Sequence, residues 1–188
     1  KEIVDAPNLL RDRYRLLFSQ SVEPPQAGPT IGLNRSFLTH TLYPLYYNFF
    51  TQLGFKVIVG DEAKHKGIDK KESSFCYPVE LAHGFFQDLI DRKPDYIFLP
   101  HITEVSGDDK DKRSKTCVLL QSEGYYLKTT FKDELNGIKI LSPLLNFSDG
   151  YDSAKNSFIK LAGELRITKA AASAAFDFAI GKLNEMFD

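Results

Sequence analysis

Cysteine is scarce in this chain, tryptophan is absent, and neither sign of charge predominates. Two cysteines in 188 residues cannot build a disulfide framework, so a core must hold the fold and a reducing cytoplasm is the expected setting. Cys76 and Cys117 are then free thiols, ligands or small buried hydrophobes. A net charge of −1 gives no electrostatic reason to expect nucleic acid or an anionic membrane as partner. No apolar run approaches the ~20 residues that span a bilayer. The amino end also lacks the charged-then-apolar order of a secretory signal. The chain opens on Lys1 rather than Met, which points to a segment of a larger protein. There is no Walker A loop, no Gly-x-Gly-x-x-Gly, no Gly-x-Ser-x-Gly elbow and no His-Glu-x-x-His. P-loop ATP hydrolysis, an elbow-type hydrolase and a zincin are all disfavoured. His40, His65, His83 and His101 share no metal-binding spacing, and each taken alone reads as structural or surface.

The length suits one domain, since chains of roughly 150 residues already bury about two-thirds of their unfolded surface. Residues 1–29 read as a short amphipathic helix, with leucines and Phe18 among Arg11, Arg13 and Arg15, and then a linker broken at Pro24-Pro25 and Gly28-Pro29. Residues 30–147 alternate between strand and helix. Strands are predicted at Thr30–Leu33, Phe55–Gly60, Asp95–Pro100, Val118–Leu120 and Lys139–Leu141. Helices are predicted at Leu38–Leu53, Pro78–Arg92 and Glu123–Phe131. Such alternation implies an open, doubly wound, mostly parallel sheet of about four or five strands with helices on both faces. Residues 148–188 add a pair of helices whose alanines permit close packing on the same lobe. The charged stretch from Gly107 to Lys115 reads as a solvated loop, with a lid or docking loop as the sharper alternative.

The chemistry concentrates at Ser73-Ser74-Phe75-Cys76-Tyr77-Pro78. Proline in the first helical turn puts Cys76 just ahead of a helix, where unpaired N–H groups and the dipole favour an anion. The thiolate is the form that attacks or ligates. The residues alone leave two readings of Cys76 open: a small capping side chain, or a ligand or nucleophile. Cys117, which leads into an apolar run, reads as a buried hydrophobe or a ligand. A third possibility places a small ligand, an acyl-CoA or a nucleotide, in the crevice at the strands' carboxyl ends. Asn34, Arg35, Ser73, Ser74 and His101 would then lie near it, each otherwise being a turn or cap residue.

The segments Ile31–Arg35, Leu53-Gly54-Phe55, Glu72–Pro78 and Asp95–Pro100, with Tyr46, Phe49, Phe50, Leu81 and His83-Gly84, form a recognisable combination. It resembles the domain that follows the activase halves in large fused proteins, a family of CoA-substrate-specific enzyme activases related to 2-hydroxyacyl-CoA dehydratase subunits and double-cubane cluster proteins. The resemblance is strong from residue 30 to 101 and looser to about residue 145. It implies an iron–sulfur cluster of the 4Fe–4S kind, held by thiolates and fed low-potential electrons by an ATP-dependent activase. Carried over by position, Cys76 and Cys117 would be cluster ligands. It also implies an activase on the same or a partner chain, and a homo- or hetero-oligomer. The chain departs from the pattern in two ways: Val118 stands where relatives often carry proline, and a cluster takes at least three cysteines where only two exist. Either the remaining ligands lie outside these residues or this member lacks the cluster. The segment alone is therefore expected to be inactive, its parent being dehydratase- or reductase-like. The alternative is a non-catalytic scaffold lobe docking the activase domains or a partner subunit, motivated by the aromatic helix at Leu38–Leu53 and the charged loop.

Overall fold

The structure, a computed structural model, describes residues 8–19, 22–71, 76–107 and 114–187. Helix α1 (Leu9–Phe18) starts at Asn8, whose side-chain oxygen accepts from the Arg11 N–H at 3.0 Å, a side-chain N-cap. Four strands then make a parallel sheet: β1 (Thr30–Leu33), β2 (Lys56–Val59), β3 (Tyr96–Phe98) and β6 (Lys139–Leu141), in the spatial order β2-β1-β3-β6. The chain runs from β1 to one neighbour and then crosses to the other side, so the direction of winding reverses between β1 and β3. At that reversal the carboxyl ends of adjacent strands splay apart and open a crevice.

Helices cover both faces because the strands are apolar on both. Ile31, Leu33, Phe98 and Leu141 face α2 (Thr39–Gln52), α7 (Lys155–Glu164) and α8 (Lys169–Phe187). Ile97 and Leu99 face α4 (Tyr77–Asp91) and α6 (Glu123–Thr130). Gly32 belongs to the second face, where a Cβ would stand 3.2 Å from Leu89 and 3.3 Å from Ile97. A side chain there would require Leu89 and Ile97 to give by a few tenths of an ångström. The aromatic residues of α2 point inward: Tyr43, Tyr46, Tyr47, Phe49 and Phe50 are all buried, and Phe50 and Tyr46 meet Phe98 edge-on at centroid distances of 5.1 and 4.9 Å. They form core, which removes the aromatic face that had suggested a docking scaffold. Of the charged stretch from Gly107 to Lys115, its other support, residues 108–113 lie outside the described residues, and Ser114–Lys115 pair as a short strand rather than a loop.

The amino ends of β1 and β3 are clasped. Asp95 accepts from the Thr30 N–H at 2.7 Å and from the Thr30 hydroxyl at 2.8 Å, while the Thr30 oxygen accepts from the Asp95 N–H at 2.9 Å. Those two donors from Thr30 hold the Asp95 carboxyl below its usual range.

Two expectations fail. Val118–Leu120 is not a strand but part of a helical turn, α5 (Val118–Gln121), with the Cys117 carbonyl accepting from the N–H groups of Leu120 and Gln121 at 3.0 Å. The run also does not bury as a whole, for Val118 is 70% exposed and Leu120 alone is buried. A second, three-stranded sheet went unanticipated: β5 (Ser114–Lys115), β4 (His101–Val105) and β7 (Leu144–Phe147), with β4 antiparallel to β5 and parallel to β7. Pro100 and Pro143 separate β4 and β7 from the main sheet, where each lacks an N–H to continue the ladder. A one-turn helix, α3 (His65–Ile68), lies ahead of α4, and a 3₁₀ turn (Tyr151–Ala154) leads into α7.

Candidate functional site

The carboxyl edge of the parallel sheet gathers the polar and thiol-bearing residues. Asn34 and Ser36 follow β1 directly and are buried at 2% and 4% exposure, although a polar turn would ordinarily sit in water. Their partner is Glu123, the first residue of α6, also buried. Asn34 Nδ2 donates to Glu123 Oε1 at 2.8 Å and to the Ala82 carbonyl at 3.2 Å, and the Ser36 hydroxyl donates to the same Glu123 oxygen. No ion pair to Glu123 occurs among the described residues. Burial pushes its carboxyl up to about 7, outweighing the opposite pull of the Ser36 and Asn34 hydrogen bonds. The site thus contains a carboxyl that gains and loses its proton near neutrality.

The backbone pays for this arrangement locally. Phe37, next to Ser36, has φ +42°, in the left-handed region that a bulky side chain avoids. Gly124, next to Glu123, has no room for a side chain: a Cβ there would stand 2.9 Å from His101 Cε1 and 3.1 Å from Ser142 Oγ.

Cys76 takes the position expected of it, as the N-cap residue of α4 with Pro78 in the first turn. Its carbonyl accepts from the Val79 and Glu80 N–H groups at 3.0 and 3.2 Å, and its side chain makes no cap hydrogen bond. The thiol is half-buried and is not spent on capping. Cys117 occupies the matching place at the start of α5, and it is exposed rather than buried. Burial raises the pKa of the Tyr126 phenol, with the charge of Glu123 adding to it. The Tyr126 hydroxyl is buried without a hydrogen-bond partner among the described residues. Its ring stacks on His83 at 5.3 Å and 12°. His83 Nδ1 donates to the Val79 carbonyl at 2.8 Å, and burial lowers the pKa of the imidazole, keeping it neutral.

The other candidates divide. His101 is at this edge, with Nδ1 donating to the Gln121 carbonyl at 2.8 Å and its ring stacked on Tyr125 at 4.5 Å; it lines an open cavity of about 470 Å³ with Ser142 and Leu144. Arg35 points elsewhere. Its guanidinium lies over the rings of Tyr14 and Phe85 at 4.6 and 4.4 Å, and Nη1 donates to the Tyr14 hydroxyl and the Asp61 carbonyl, so it rivets α1 to the sheet. Ser73 and Ser74 fall outside the described residues. Glu123 and Tyr126 were missed by the sequence reading. Glu123 had a legible signal, because it stands three residues after Leu120 and four before Leu127, both buried, and so on an apolar helical stripe.

Among the described residues no three His, Cys, Asp or Glu side chains are grouped as a metal site would require, and no helix is long and apolar enough to cross a membrane. No curated protein and no solved structure matches the chain. Residues 30–188, which begin with β1 and contain every residue of the site, match the family described as the CoA enzyme activase uncharacterised domain, and the chain belongs to that family.

Proposed function

We propose that this domain supplies Cys76 and Cys117 as thiolate ligands to an iron–sulfur cluster serving ATP-driven, low-potential electron transfer in a dehydratase- or reductase-like protein, with an activase as its partner. The observation that carries this reading is that the two cysteines, 41 positions apart in the chain, are both free thiols at the N-cap positions of helices, α4 and α5. Membership of an activase-related family supports it from a separate direction. The donor set fits such a cluster in kind, since neither thiol is in a disulfide and thiolates are what iron–sulfur clusters take. It fits in part, as two donors of a larger set, so other residues of the parent or a partner must complete it. When bound, such a cluster stores and passes single electrons.

The chain's own residues have definable tasks at this edge. The positive end of the α4 dipole favours negative charge beside Cys76. Tyr126 and His83 form a stacked pair between α4 and α6. Glu123, raised to about 7 by burial, carries less negative charge at neutral pH than an ordinary carboxylate. Anaerobic reconstitution of the full-length protein with iron and sulfide is the test. Iron and labile sulfide should bind, and Cys76→Ala or Cys117→Ala should remove most of both. Failure to bind iron, or full retention by both variants, overturns the reading.

A further inference from the structure

The crevice at the winding reversal contains a small cavity of about 10 Å³. Its wall includes Asn34, Tyr46 and Glu123, together with the turn from Ser36 to Thr39 at the start of α2. Two polar atoms in that wall are buried without a hydrogen-bond partner among the described residues: the Tyr46 hydroxyl and Asn34 Oδ1. Tyr46 is 1% exposed and Asn34 2%, so bulk solvent cannot satisfy either atom. The Asn34 amide is fixed in orientation because Nδ2 faces the Ala82 carbonyl and the Glu123 carboxyl, both acceptors. Its Oδ1 therefore remains an acceptor, whereas Tyr46 supplies a donor. Glu123 is near enough for its charge to act on the Tyr46 phenol.

We propose that this cavity is a specific site for one water molecule, which accepts from the Tyr46 hydroxyl and donates to Asn34 Oδ1 and to the Glu123 carboxyl. Volume and chemistry agree. A single water needs about 10–15 Å³ and two to four polar partners, and the cavity offers both. Nucleotide and acyl-CoA sites are typically about 300–1,000 Å³, so the place where open α/β sheets commonly take such ligands is here filled by the chain's own carboxyl and one solvent molecule. The site does not depend on the iron–sulfur reading and stands or falls apart from it.

A crystal structure of the chain, at a resolution that shows ordered solvent, tests this directly. One water within hydrogen-bond distance of Tyr46 Oη, Asn34 Oδ1 and Glu123 is expected. A Tyr46 hydroxyl bonded straight to Asn34 or Glu123, with no solvent between them, overturns it. In solution, the carboxyl carbon of Glu123 should titrate at higher pH in Tyr46→Phe, because the anion loses a water polarised by the phenol. An unchanged midpoint in a folded variant also overturns it. If that variant does not fold, the wild-type structure decides alone.

Discussion

Replacing Glu123 with glutamine should change how the stability of this domain depends on pH, because the residue is a carboxyl taken out of water without a cation beside it. Its hydrogen bonds from Ser36 and Asn34 favour the charged form and burial opposes it; burial wins, moving the group from 4.5 to about 7. At about 1.4 kcal/mol per tenfold change in proton affinity, that rise amounts to about 3 kcal/mol. The folded chain binds this proton more tightly than the unfolded chain. Stability is therefore fully present below about 4.5 and is lost as pH climbs through about 7. Glutamine keeps the shape and the accepting oxygen but cannot ionise. Urea unfolding of both proteins between pH 4.5 and 8.5 isolates the effect, since all other titrating groups are common to both. The variant should gain on the wild type as pH rises and be more stable by about 3 kcal/mol at the alkaline end than the acid-end comparison would give. A difference that stays flat with pH, or that favours the wild type increasingly as pH rises, would refute the reasoning.

Three further outcomes follow from packing and charge. Gly84→Ala places a Cβ 2.9 Å from Ala63 Cα and 3.0 Å from its carbonyl carbon, contacts with backbone that cannot rotate away. It should cost about 1–3 kcal/mol and lower Tm by about 2–4 °C for each kcal/mol, as calorimetry would show. Ala179→Leu, at a fully buried position of α8, overfills the core and should cost a similar amount, about 1–3 kcal/mol, in urea unfolding. The clasp between Thr30 and Asp95 acts in the opposite pH direction from Glu123. With its carboxyl held low, its stabilisation is present above the ordinary value of 3.8 and is lost as pH falls through the depressed folded value. The stability gap between wild type and Asp95→Asn should close on acidification, and a gap that persists to the lowest pH at which the chain folds would count against the clasp.

Much of the fold was legible because the strands of the parallel sheet are short apolar runs bounded by glycine or proline, and the long helices keep a helical period. Thr30–Leu33, Tyr96–Phe98 and Lys139–Leu141 form strands within the segments where they were expected. Val118–Leu120 misled because three apolar residues cannot distinguish a strand from one helical turn; the deciding fact is tertiary, with Leu120 alone turned into the core. The strand His101–Val105 was hidden behind Pro100, which ends one ladder and so looked like the end of all pairing. At the site, Cys76 was legible from a local rule, a thiol just ahead of a proline-opened helix. Arg35 was not, since nothing near it in sequence announces that Tyr14 and Phe85 will sandwich its guanidinium. The pairing of Asn34 with Glu123 spans 89 residues and arises only when α6 is laid beside the end of β1.

The central claim is that Cys76 and Cys117 donate to one metal site, and cobalt tests it without relying on activity. Adding Co²⁺ anaerobically to the reduced chain should produce thiolate-to-metal charge-transfer absorption. Cys76→Ser and Cys117→Ser should each remove about half of it, and the double variant all of it. No such band, or a band that survives loss of either thiol undiminished, would contradict the account.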